Sequence, residues 1–162
     1  MLTDVVLRQL ADVTDPLAFK AKRGLLNRRK APSQISSFMR TAMSVGDGVA
    51  IWTSDKAHIH QLSLCTKGDT VLIKSIDGIN FVAGQLWMLA AADGFGTFAL
   101  VSMWSLEEAN AATGLPRWRM TDSPCLVDFE SILKPVLWTE CSPGIARTLV
   151  PFELRGLNPV VA

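Results

Sequence analysis

His58 and His60 stand two apart, and Cys65 follows five residues later. On a strand, that spacing turns both imidazoles to one face. With a thiolate they would supply three of the four ligands of a structural zinc. The neighbouring sequence indicates no fourth ligand and contains no Cys-x-x-Cys pair. The pattern therefore assigns no metal and no cofactor. Cys65, Cys125 and Cys141 are widely spaced, and no nucleophile motif surrounds any of them. Their odd number, without secretory features, reads as reduced thiols in a nuclear or cytoplasmic, non-secreted protein.

The acidic pairs are also weak candidates for catalysis. Glu107 and Glu108 are adjacent, which on a helix gives them different faces, so capping and solvation explain them better. Asp128 and Glu130 are two apart on an expected strand and would share a face that suits a cation or a basic peptide. Asp93-Gly94-Phe95-Gly96 is a turn; no Lys-Ser/Thr follows to make it a phosphate loop. These residues make no catalytic constellation, and the expectation is a non-enzymatic chain.

Charge is more informative. Residues 1–45 carry eight Lys/Arg against three acids, a balance of +5, and residues 46–162 carry eight against twelve, a balance of −4. Lys20, Lys22, Arg23, Arg28, Arg29 and Lys30 fall within eleven residues. On a helix these cations would surround the axis, as in a basic arm that contacts phosphates by releasing counterions. The competing reading is a clasp onto acids of the body such as Asp128, Glu130 or Glu140.

The elements that must position these groups divide the chain in two. Residues 1–45 read as short helices: Thr3 caps one, Asp15-Pro16 starts a second, and Pro32-Ser33 starts a third over 34–43. Residues 46–162 read as a β-barrel-like domain. Its clearest part is a three-strand meander over 68–104, with turns at Asp77-Gly78 and Asp93-Gly94. Further strands are expected at 49–52, 59–64, 125–129, 132–138 and 147–152, and a helical turn over 106–112 with Ser105 as its cap. Val71, Ile73, Leu86, Leu100 and Ile132 are the expected core. Apolar residues make up 49% of the 162, which excludes a disordered chain. No apolar run is long enough to span a bilayer as a helix. The mean hydropathy of +0.26 keeps self-association through an apolar surface as a second reading.

Residues 67–136 resemble the bromo-adjacent homology domain. The resemblance lies in Gly68-Asp69 opening a strand, in Phe81 to Trp87 running toward Asp93-Gly94, in Trp104 ahead of Glu107-Glu108, and in Leu126 to Ile132. The chain departs from the family at Ser105-Leu106, where Arg-Pro is usual, and lacks the Asn-Glu-aromatic element that follows. The resemblance implies a curled SH3-like barrel and a role in chromatin, recognising a protein or a histone-like basic peptide. It also raises an aromatic cage for a cation, with Trp52, Trp87, Trp104, Trp118 and Trp138 the candidate rings beside phenylalanine. The expected partner-binding residues are Trp87, Trp104, Trp118, Asp128 and Glu130. The basic run is the expected nucleic-acid contact.

Overall fold

The computed structural model describes residues 24–60, 63–75, 80–109, 115–151 and 158–159. The chain is mainly β. Its order is β1 (Gly24–Leu26), β2 (Arg29–Lys30), α1 (Ser33–Met43), β3 (Ile51–Ser54), β4 (Lys56–His60), β5 (Ser63–Thr66), β6 (Thr70–Lys74), β7 (Asn80–Ala92) and β8 (Gly96–Met103). It continues with β9 (Ser105–Glu108), β10 (Arg117–Arg119), β11 (Pro124–Asp128), a 3-10 turn (Phe129–Ser131), β12 (Ile132–Pro135), β13 (Trp138–Ser142), β14 (Ile145–Thr148) and β15 (Asn158–Pro159).

The expected meander is present. β6 pairs antiparallel with residues 81–85 of β7, and β8 pairs antiparallel with residues 84–92. The turn after Ala92 holds Gly94 at φ +82 and Gly96 at φ +110, a region costly for other residues. Asp77-Gly78 lies outside the described residues. β3 takes the β7 edge shared with β6, against residues 89–92, and β11 closes on β8. Two smaller sheets complete the fold, β1-β4-β5 and β13-β14-β10-β9. Among the described residues the sheets do not close into a barrel.

The long strand β7 is buried on both faces. One face contributes Leu86 and Leu89 to the main core with Val71, Ile73, Phe81, Val101, Trp104, Trp118 and Ile132. The other contributes Ala90 and Ala92 to a second, smaller core beneath α1. Helix α1 forms over 33–43 because Ile35, Met39 and Met43 recur every four residues and face that second core. It ends at Ser44, whose backbone is left-handed at φ 55. The Arg40 guanidinium then ties down the following loop by donating to the carbonyls of Gly46, Asp47 and Val49 at 3.3, 3.3 and 2.6 Å. At Gly84 a Cβ would sit 2.7 Å from Ser102 O, so only glycine lets β8 approach there.

Several expectations need correction. Residues 24–26 and 29–30 are strands, not the end of a helix, because β1 pairs with β4 and β2 with β3. Residues 59–64 are not one strand but the meeting of the antiparallel pair β4 and β5. The helical turn expected after Ser105 begins instead as β9. Its Leu106 registers with Trp118, and Glu107 and Glu108 each find an arginine on β10, at 2.7 Å to Arg119 and 3.2 Å to Arg117. These cross-strand pairs outweigh a local capping box. Leu100 belongs to neither core. Alternation along β8 sends Ala99 and Val101 inward and leaves Leu100 half-buried on the α1 side. No helix among the described residues is long and apolar enough to cross a membrane.

Candidate functional site

Trp87 owes its position to a β-bulge. Leu86 registers with Val101 and Met88 with Leu100, so Trp87 is the extra residue between two paired positions. The bulge resets the alternation of β7. Leu86 and Leu89 both reach the main core although they stand three positions apart. Trp87 is left 38% exposed.

Beside it lies a groove of about 590 Å³. Helix α1 supplies Gln34, Ile35 and Phe38, and β7 supplies Trp87 and Met88. Leu100 and Pro124 come from β8 and β11. Lys67, Gly68 and Gln85 line the remainder. Phe38 is 47% exposed, so two large rings stand partly in water at this groove. Such a volume is ordinary for a ligand site. An apolar lining with few polar groups suits apolar side chains of a partner more than a charged small molecule.

The Lys67–Asp69 turn is firmly held. Gly68 N donates to Leu86 O and Leu86 N to Asp69 O, at 2.8 and 2.9 Å, while the Asp69 carboxylate accepts from Thr66 N at 2.8 Å. Gly68 adopts φ +93. On its other side a second cleft, of about 480 Å³, is lined by Asp69, Thr70, Pro135, Val136, Leu137 and Trp138 as well as Gly68.

The residues expected to bind a partner do not assemble. Trp104 and Trp118 are buried in the main core; Trp118 Nε1 donates to Thr148 Oγ1 at 2.9 Å and its ring packs on Phe81. Trp138 meets Trp104 edge-on at 5.7 Å, and Trp52 lies under the Arg28 guanidinium at 4.7 Å. Asp128 and Glu130 do not share a strand face: Asp128 ends β11 and its carboxylate caps the 3-10 turn by accepting from Glu130 N. Only Trp87 of the five lies at the groove.

The basic run is divided. Lys20, Lys22 and Arg23 lie outside the described residues. Arg28, Arg29 and Lys30 are exposed at the edge of the large sheet, where Arg28 stacks on Trp52 and Arg29 pairs with Asp55 at 3.4 Å. Among the described residues of the run, Arg28 and Arg29 thus contact Trp52 and Asp55 of the body. The zinc trio does not form either. Cys65 registers with Ala57 and faces the core, while His58 registers with Leu64 on the opposite face, and a bulge separates His58 from His60. Burial, with the Asp69 carboxylate nearby, pushes the Cys65 thiol up to about 11.

Sequence reasoning missed Ile35, Phe38, Met88 and Leu100 as neighbours. One signal was available: the Leu86-to-Leu89 spacing breaks a period of two and marks a bulge at Trp87. No protein-family model matches the chain, and searches of curated proteins and of solved structures found no match.

Proposed function

We propose that the protein is a non-enzymatic binding module that holds an apolar segment of a partner protein in the groove between α1 and the bulge of β7. The observation that carries this reading is the apolar groove with the partly exposed rings of Phe38 and Trp87 beside it. Exposed rings beside an apolar recess are typical of interface anchors. The resemblance over residues 67–136 extends the proposal to a histone-like basic partner in chromatin.

The test is to pan a random displayed-peptide library on the intact chain and titrate the selected peptides against variants. Trp87→Ala is expected to weaken them by roughly 30-fold or more, the loss of about 2 kcal/mol typical of an anchor, while the melting temperature stays nearly constant. Peptides that bind Trp87→Ala as well as the parent overturn the groove reading. If a second copy of the chain is the occupant, sedimentation shows a dimer that Trp87→Ala dissociates.

A second reading attaches to the exposed, contiguous cations Arg28, Arg29 and Lys30. We propose that they contact nucleic-acid phosphates. Their joint change to alanine is expected to weaken a nonspecific duplex and flatten its salt dependence by about two to three charges. The exposed Arg29–Asp55 pair contributes little to stability, on the order of 0.2–1 kcal/mol. A parent that shows no duplex binding at low salt removes this reading.

A further inference from the structure

Thr70 is 3% exposed, and its hydroxyl has no hydrogen-bond partner. A buried polar group without a partner is costly, and a native chain that keeps one invites an explanation. Thr70 lines the cleft beyond Gly68, next to Asp69. Among the described residues no lysine or arginine pairs with the Asp69 carboxylate. Trp138, 42% exposed, is braced edge-on by the buried Trp104. The cleft therefore combines a carboxylate, a hydroxyl able to accept, and a fixed aromatic ring. Together they match a donor-rich cation on an aliphatic stem.

The cleft is not isolated. Gly68 lines both it and the apolar groove, so the two recesses meet across one turn. Lys67 lines only the groove side and Asp69 only the cleft side. That arrangement of charge disfavours a cation at the groove and favours one at the cleft.

We infer that the Asp69–Thr70–Trp138 cleft receives a lysine or arginine side chain of the same peptide whose apolar residue occupies the groove. The inference rests on the groove reading and names the partner's chemistry: an apolar anchor followed within a few residues by a basic one. The carboxylate pairs with the cation, the Thr70 hydroxyl accepts one of its N–H groups, and Trp138 covers the stem.

The test has two arms on the full chain. In the first, butylammonium and butylguanidinium are titrated by amide and indole NMR, with pentan-1-ol as the neutral control. Shifts at Asp69, Thr70 and the Trp138 indole are expected with the cations and not with the alcohol. Asp69→Asn, which keeps an acceptor for Thr66 N–H, is expected to weaken binding about fivefold or more. Thr70→Val removes the orphan hydroxyl, so it is expected to melt no lower than the parent and still to bind more weakly. In the second arm, groove-selected peptides are expected to carry Lys or Arg at a fixed offset from their apolar anchor. The inference fails if the alcohol binds as well as the cations, if both variants bind like the parent, or if the selected peptides bind through Trp87 with no basic preference. That last outcome leaves the groove reading intact. Cations that titrate the cleft, in a chain whose selected peptides ignore Trp87→Ala, would sink the groove reading and keep the cleft.

Discussion

Trp118→Ala is expected to lower the unfolding free energy by about 3–5 kcal/mol, the usual cost of emptying a fully buried aromatic site. The indole is wholly buried, packs on Phe81 and hydrogen-bonds the equally buried Thr148 hydroxyl. It also sits on the middle of β10, which holds β9 on one side and β14 on the other. In a chain of this length the change moves the melting midpoint by roughly 10–15 °C. Trp118→Phe separates the two contributions: the ring stays, the Thr148 hydroxyl loses its partner, and the cost falls to about 1–3 kcal/mol. An alanine variant within about 1 kcal/mol of the parent would show that the sheet bearing β10 does not pack on the main core.

Alkaline pH is expected to remove a second large contribution, through Cys65. The thiol is fully buried, and its pKa in the fold, about 11, lies above the ordinary 9.0. The unfolded chain releases this proton first. The contribution is therefore fully present below about pH 9 and is lost as pH rises through about 11. Two units correspond to on the order of 2–3 kcal/mol. Urea midpoints at about pH 8 and about pH 10.5 should fall further apart for the parent than for Cys65→Ala, which has nothing to ionise there. A thiol reagent provides the companion measurement. Cys125 and Cys141 are exposed and react in the folded chain, whereas Cys65 reacts at the rate of unfolding. Equal slopes with pH for parent and Cys65→Ala, or prompt labelling of Cys65, would show that the site is wet.

The parts of this fold legible in the sequence are those whose pattern is local. Val71, Leu72 and Ile73 in a row mark β6, Asp93-Gly94 marks the turn from β7 to β8, and Ile35, Met39 and Met43 mark α1. The β4–β5 junction was not legible, because Gln61 and Leu62 offer none of the usual turn residues. Leu100 was misplaced for a different reason. Ala99, Leu100 and Val101 are apolar in succession on β8, so a period of two does not say which face meets the main core. The tryptophans show the same limit. Trp87, Trp104 and Trp118 are one residue type, yet a bulge leaves Trp87 partly exposed while Trp104 and Trp118 are buried in a core built by distant chain segments. The groove draws on four elements and the Lys67–Gly68 turn, and the cleft on residues 68–70 and the single run 135–138, so no short window of sequence contains either.

The bulge at Trp87 also bears on how this site could be gained or lost. A residue inserted into a strand ordinarily inverts every side chain on one side of it. Here Leu86 faces the main core, Met88 the groove and Leu89 the main core. Excising Trp87 would leave those three in ordinary succession, so the ladder to Val101 and Leu100 would run on unbroken. Excising a residue from a regular stretch of β7, such as Ala90, would instead turn the residues beyond it to the opposite face. The ring beside the groove thus rests on one extra residue in the ladder between β7 and β8. A relative one residue shorter at this point would keep the architecture and lack the anchor.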